Sequence, residues 1–263
     1  MKLIRFEYNG SVSYGIIDGK SVRCAAGDIF DKYALTDKLY DFEEVRILAP
    51  VTPPNIIAIG LNYRGHARES GSATPVRPVI FLKAATSVIT HGETIVLPAN
   101  APDEVDYEAE LCIVIGKKAK NISEEDALDY VLGYACGNDV SARDCQLRID
   151  AQWARGKSFD TFCPIGPHIE TDISNPDNLC ISSRLNGKTM QKSNTGDMIF
   201  SVCHLVSYCS HNMTLLPGTL IMTGTPEGVG FARNPPVFLR DGDTVEIEIE
   251  GVGVLRNKVS AAV

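Results

Sequence analysis

The chain has 263 residues, 44% hydrophobic and 22% charged, with 33 acids against 25 Lys and Arg and a formal net charge of −8. Such a length and apolar content support a core without disulfide or metal staples, and they exclude a disordered or fibrous chain. The acid surplus repels phosphate backbones and anionic lipid, so neither nucleic acid nor a membrane is expected as a partner.

Residues 1–50 read as a small β-rich domain. Leu3–Phe6 and Ser13–Ile17 flank Asn9-Gly10, a hairpin dipeptide, and Asp18-Gly19 supplies a second turn. A short polar helix is expected around Asp31–Glu44, after which Pro50, Pro53 and Pro54 form a stiff junction to a second domain, 51–263. There Ile56–Gly60 is predicted to be a buried strand. It leads into a short helix starting at Asn62-Tyr63 and closed by Gly71 and the Pro75/Pro78 pair. Strands are predicted at Val79–Lys83, near Thr94–Leu97 and at Asp106–Ile115. A helix is expected over Ser123–Leu132, with Ser123 as its cap and acids in its first turn. The last third reads as strands at Leu220–Thr223, Val237–Leu239 and Thr244–Glu250, plus a helix at Ile199–Cys209. Strands outnumber helices and do not alternate with them, which indicates an α+β fold.

The eight cysteines form no C-x-x-C pair and mostly sit in apolar runs, so they are expected as buried free thiols. No stretch approaches about 18 consecutive apolar residues, and the N-terminus has no signal-peptide core. A cytoplasmic protein is expected, with a mitochondrial one left open.

The most informative segment is Asp106-Tyr107-Glu108-Ala109-Glu110-Leu111. In a continuous strand, Asp106, Glu108 and Glu110 share one face at about 6–7 Å spacing, where they repel unless water or a cation screens them. A solvated strand face is one reading, and the alternating Val245–Glu250 is a plain example of it. The first cluster differs because it runs into Leu111–Ile115, apolar on both faces. Carboxylates at the end of a doubly buried strand suit a hard cation. In the next polar run, Gly137–Gln146, either Asp139 completes an all-oxygen site or Arg143 forms a surface salt bridge with Asp144 or Asp139. Arg143 is able to hold a carboxylate bidentately.

Together with Gly156-Lys157-Ser158-Phe159-Asp160 and Thr223-Gly224-Thr225-Pro226-Glu227-Gly228, these motifs resemble the fumarylacetoacetate hydrolase family, in its order, over residues 55–259 or so. The resemblance is to small members with a short N-terminal domain, which include acylpyruvate hydrolases and oxaloacetate decarboxylases. It implies a mixed β-roll, commonly homodimeric. It also implies Glu108, Glu110 and Asp139 as ligands of Mg²⁺ or Mn²⁺, with Ca²⁺ as a crystal substitute and no organic cofactor. The implied substrate is a small anionic 2-oxo or 2,4-dioxo acid that chelates the metal. Asp106 matches no family ligand.

The same resemblance makes Asn62–Glu69 a mobile lid. His66 and Glu69, neighbours on one helix face, would form a dyad that activates water. It marks Lys83, Arg143, Gln146 and Thr225 as substrate contacts and Lys157 as an active-site lysine. Gly65 falls where several relatives carry an acid. The first functional expectation is hydrolytic C–C cleavage of an acylpyruvate. Oxaloacetate decarboxylation, keto–enol tautomerisation of a 2-oxo acid, and a non-catalytic metal-stabilised binding domain are the alternatives.

Overall fold

The computed structural model describes residues 1–262. The expected α+β class holds: strands dominate, helices are few, and the sheets are mixed. The large sheet runs in the order Tyr33–Asp41, Ser21–Gly27, Ser11–Asp18, Lys2–Tyr8, Cys163–Glu170, Val131–Asn138, Ala109–Ile115, Leu220–Met222, Ile56–Gly60, Val79–Lys83. Its neighbours are antiparallel except Leu220–Met222 with Ile56–Gly60. A second sheet takes the order Lys188–Asn194, Cys180–Leu185, Thr244–Ile249, Gly253–Ala261, Thr94–Leu97.

Strands Ile56–Gly60 and Ala109–Ile115 are buried at every position, as their unbroken aliphatic runs require. One face of the large sheet joins the second sheet in a single core containing Leu111, Ile113, Ile181 and Ile247. The other face packs Cys112, Val114, Leu220 and Leu3. Helix α1 is Arg64–Glu69, α2 is Ala154–Lys157 and α3 is Val202–Asn212. Ser201 caps α3 by accepting from His204 N (3.2 Å), and Val202, Leu205, Val206 and Cys209 form its buried stripe.

Several expectations are corrected. The polar stretch 31–44 is no helix. Tyr33–Asp41 is an edge strand on Ser21–Gly27, exposed along most of its length, which is why its composition mimics a solvated helix. Ser123 does accept from Asp126 N (3.2 Å), but only a short 3-10 turn, Ala127–Tyr130, follows, and Val131 onward belongs to the large sheet. The strand over 106–115 is broken. Val105–Asp106 pairs with Ser141–Ala142, and regular pairing resumes at Ala109. Residues 237–239 form no strand. On Thr244–Ile249 the acids are not a uniformly solvated row: Glu248 is exposed, while Glu246 is buried between Arg184 and Arg256.

All eight cysteines are free, as expected, and five are buried; the expectation of burial fails at Cys180, which is exposed, and at Cys24 and Cys203, which are half-buried. No described helix is long and apolar enough to cross a membrane.

Candidate active site

The hairpin between Ala109–Ile115 and Val131–Asn138 brings the acidic motifs together. Asn138 Oδ1 accepts from Glu108 N (2.9 Å), and Asp139 N donates to the Glu108 carbonyl (3.0 Å). These bonds pin the strand break and set Glu108 and Asp139 side by side. Ligand oxygens of Glu108, Glu110 and Asp139 then all lie within 4.8 Å of one another, and all three residues are buried.

Three cationic side chains enclose them. Lys157 Nζ, at the C-terminal end of α2, donates to Glu108 Oε2 and Asp139 Oδ2, both at 2.7 Å. Lys83 Nζ donates to Asp139 Oδ1 and stands behind it rather than on the cavity wall. Arg143 Nη2 pairs with Glu108 Oε1 (2.7 Å), and Arg143 Nη1 donates to Gln146 Oε1 (2.8 Å).

The three carboxylates differ in their environment. Burial alone would raise the Glu108 pKa, but Lys157, Arg143 and His66 together hold it well below the usual carboxylate range. Glu110 is pushed well above its ordinary value by burial first, then by Asp139 and Glu108. Its one hydrogen-bond donor is Gly224 N (2.9 Å), in the Thr223–Pro226 turn. Lys157 stays raised despite burial, because Asp139 and Glu108 favour its charged form. A cluster of three oxygen donors in which one carboxylate has no cationic partner suits a hard divalent cation.

The strand break gives Asp106 a role separate from the triad. Its carboxylate accepts from Arg143 Nε (2.9 Å) and from the backbone N–H groups of Gly230 (2.8 Å) and Phe231 (3.0 Å). Asp106 thus ties the guanidinium to the loop after the Thr225 turn. Phe231 lies over Arg143 at 4.5 Å and meets the His66 ring edge-on at 6.4 Å. At Gly230 a side chain has no room, since a Cβ there would lie 1.9 Å from the Val237 carbonyl.

Helix α1 carries the dyad. His66 Nδ1 and Glu69 Oε1 are 2.7 Å apart, and Glu69 Oε2 accepts from Gly228 N (2.8 Å). Its entry is fixed by Asn62, whose side chain donates to the carbonyls of Thr223 (2.7 Å) and Phe200 (3.1 Å) and accepts from Phe200 N (2.8 Å). Gly65 leaves room for the Glu227 carboxylate, which a Cβ would approach to 2.1 Å, and Gly65 N donates to Asp197 (2.8 Å).

These groups open onto one cavity of about 110 Å³. His66, Arg143, Gln146, Lys157 and Thr225 line it together with the acidic triad. Its apolar side is Phe81 and Trp153, rings 5.7 Å apart, with Trp153 seated against Gly60. All of these lining residues are candidate site residues from the sequence, with Glu69 and Lys83 one layer behind the wall formed by His66, Arg143, Gln146, Lys157, Thr225 and the acidic triad. Sequence reasoning missed the tether role of Asp106, the Phe231 bridge, the Trp153 wall and the buried Gln191 beneath Thr225. A sole Trp between two motif segments and a Gly-x-Gly-Phe run were the available signals for two of them.

The fumarylacetoacetate (FAA) hydrolase C-terminal family matches residues 55–260, and the Rv2993c-like N-terminal family matches residues 1–50. An uncharacterized protein of Archaeoglobus fulgidus is 47% identical over 255 residues, 96% of this chain and 94% of that one. Rattus norvegicus mitochondrial oxaloacetate tautomerase Fahd2a is 48% identical over 219 residues, 82% of this chain and 70% of the rat protein. Among solved structures, a 2-hydroxyhepta-2,4-diene-1,7-dioate isomerase from Mycobacterium marinum superposes with a TM-score of 0.89 at 42% identity, over 99% of this chain and 98% of that one.

Proposed function

Because the chain belongs to the fumarylacetoacetate hydrolase family, we propose that it is a divalent-cation-dependent enzyme that enolises short 2-oxo acids, with keto–enol tautomerisation of a four-carbon dicarboxylate such as oxaloacetate as its reaction. One observation carries this reading: His66, with Glu69 hydrogen-bonded behind it, lines a single cavity of about 110 Å³ together with the acidic triad and two buried cationic side chains. Pockets for larger organic ligands run from roughly 300 Å³ upward, so this one favours a short substrate. The names of the rat tautomerase and the mycobacterial isomerase agree in class, since both reactions move a proton without adding water.

Glu108, Glu110 and Asp139 would hold Mg²⁺ or Mn²⁺, which supplies Lewis-acid stabilisation for a developing enolate oxygen. The chain's own groups do the rest. Lys157 and Arg143 attract the carboxylates of the substrate, and Gln146 stands beside Arg143 on the same wall. Glu69 engages His66 Nδ1, which leaves Nε2 as the base facing the cavity. Nε2 takes a proton from the carbon next to the keto group, and the imidazolium returns it to the enolate oxygen; the reverse sequence regenerates the ketone. Helix α1 serves as the lid that excludes bulk water during the transfer.

Hydrolytic cleavage of an acylpyruvate is the second reading. The 2.7 Å dyad favours it, because the same nitrogen is able to take a proton from a water attacking the distal carbonyl.

The test is a panel of oxaloacetate and short acylpyruvates with Mg²⁺ and Mn²⁺, before and after EDTA. Enol–keto equilibration of oxaloacetate is followed by ultraviolet absorbance, C–C cleavage by loss of the dioxo chromophore, and decarboxylation by released CO₂. EDTA-sensitive equilibration is expected to be the fastest of the three. Faster cleavage of acylpyruvates moves the assignment to hydrolase, faster CO₂ release to decarboxylase, and no EDTA-sensitive turnover of any member overturns the enzyme reading.

A further inference from the structure

Gln191, on strand Lys188–Asn194, is fully buried directly beneath the Thr225 turn. Its Oε1 accepts from Ala109 N (3.0 Å) and Ser183 Oγ (2.9 Å), and its Nε2 donates to Thr225 Oγ1 and to the Pro226 carbonyl, both at 2.8 Å. Which end of a side-chain amide is oxygen is ordinarily a matter of choice. Here it is decided twice, because the Ala109 N–H can only donate and the Pro226 carbonyl can only accept. The two amide hydrogens are thereby spent, one on Pro226 and one on Thr225. Thr225 Oγ1 is an acceptor in that bond and keeps a single proton to give. Among the described residues nothing accepts that proton, and Thr225 lines the cavity.

We propose that Gln191 is a positioning residue which fixes the Thr225 hydroxyl as a hydrogen-bond donor into the cavity. At that point the site selects a substrate oxygen able only to accept: a carboxylate, keto or enolate oxygen. The inference rests on the 2-oxo acid reading, and it explains why an uncharged amide lies fully buried under the pocket floor. Gln191→Glu removes the donor. The Glu carboxylate then takes the Thr225 proton for itself, and the cavity loses it.

The probe is oxalate, which presents acceptor oxygens only and is not turned over. Its binding to Mg²⁺-loaded protein is measured by titration calorimetry for the wild type, Thr225→Val, Thr225→Ser, Gln191→Glu and the Gln191→Glu/Thr225→Val double variant. Thr225→Val and Gln191→Glu are each expected to weaken binding about tenfold, the scale of one hydrogen bond to a charged group. The double variant should bind no more weakly than the worse single one, and Thr225→Ser should recover most of the affinity lost with Val. Unchanged affinity in Gln191→Glu, multiplicative losses in the double variant, no recovery with Ser, or no oxalate binding by the wild type would each overturn the proposal. If circular dichroism shows Gln191→Glu unfolded, Gln191→Met takes its place in the same cycle. It removes the orienting donor but leaves the hydroxyl its proton, so a smaller loss than with Glu is expected, and no loss overturns the proposal. A wild type that shows this binding pattern yet turns over no 2-oxo acid loses the proposed reaction alone. One that turns over substrate with independent losses loses the positioning role alone.

Discussion

His66 has one ring nitrogen committed to Glu69 and its side chain belongs to the cavity lining, so the proposed proton transfer falls to the other nitrogen, Nε2. His66→Ala is expected to lower kcat for oxaloacetate equilibration by about 10²- to 10⁴-fold, the usual contribution of a positioned general base. Steady-state kinetics checks this, and unchanged turnover would remove the dyad from the mechanism. Glu110 invites a different substitution, since its carboxylate has a backbone partner and no cationic one. Glu110→Gln keeps the shape and the Gly224 contact but deletes a ligand charge. Mg²⁺ affinity by calorimetry should fall at least about tenfold, and an unaltered affinity would refute Glu110 as a ligand.

Among the elements, the second sheet has a charge clamp of its own. Glu246 lies opposite Arg184 on one neighbouring strand and Arg256 on the other, with N···O distances of 3.0 and 2.7 Å. The Arg184 hydrogen bond, opposed by burial and reinforced by Arg256, lowers the Glu246 pKa below 4.5. A carboxyl whose pKa is lower folded than unfolded adds stability in full above its unfolded value and loses it as pH falls through its folded value. Glu246→Gln should therefore cost about 1 kcal/mol in urea titrations at neutral pH. That cost should shrink once the pH drops below the ordinary glutamate value of 4.5. A cost that persists undiminished to pH 3 would show that packing, not charge, is responsible. The sequence pattern of this strand showed the alternation but not the clamp, because two of its three members come from other strands. The same division runs through the molecule. Ile56–Gly60, the short helix Arg64–Glu69 and the acidic motifs were legible, being written in local runs and short spacings. Tyr33–Asp41 was misread because an edge strand with both faces wet has the composition of a polar helix. The role of Gln191 and the tethering role of Asp106 were silent because partners that define them lie 82 and 124 positions away.

At the scale of the whole molecule, the expected boundary near residue 50 coincides with no break in the main sheet. Strand Lys2–Tyr8 pairs with Ser11–Asp18 on one side and with Cys163–Glu170 on the other, and Leu3 is buried in the same cluster as Ile169 and Leu220. We therefore predict one calorimetric unfolding transition for the full chain, lowered as a unit by Leu3→Ala at a cost of about 2–4 kcal/mol. A separate early transition unaffected by that substitution would show residues 1–50 folding on their own. The net charge of −8 says little about the centre of the molecule, where Lys83, Lys157 and Arg143 gather around the acids. One further property follows from the wall of the cavity. Trp153 is the only tryptophan in 263 residues, and it stands where a ligand would touch it. Excited selectively at the red edge of the aromatic band, the protein emits from one place, so its intrinsic fluorescence is a site-specific signal without any label. Oxalate added to the Mg²⁺-loaded protein should change its intensity or wavelength saturably, and Trp153→Phe should abolish the signal while binding heat remains. The chain thus carries its own optical gauge of occupancy, ready for stopped-flow measurement of how quickly the cavity fills.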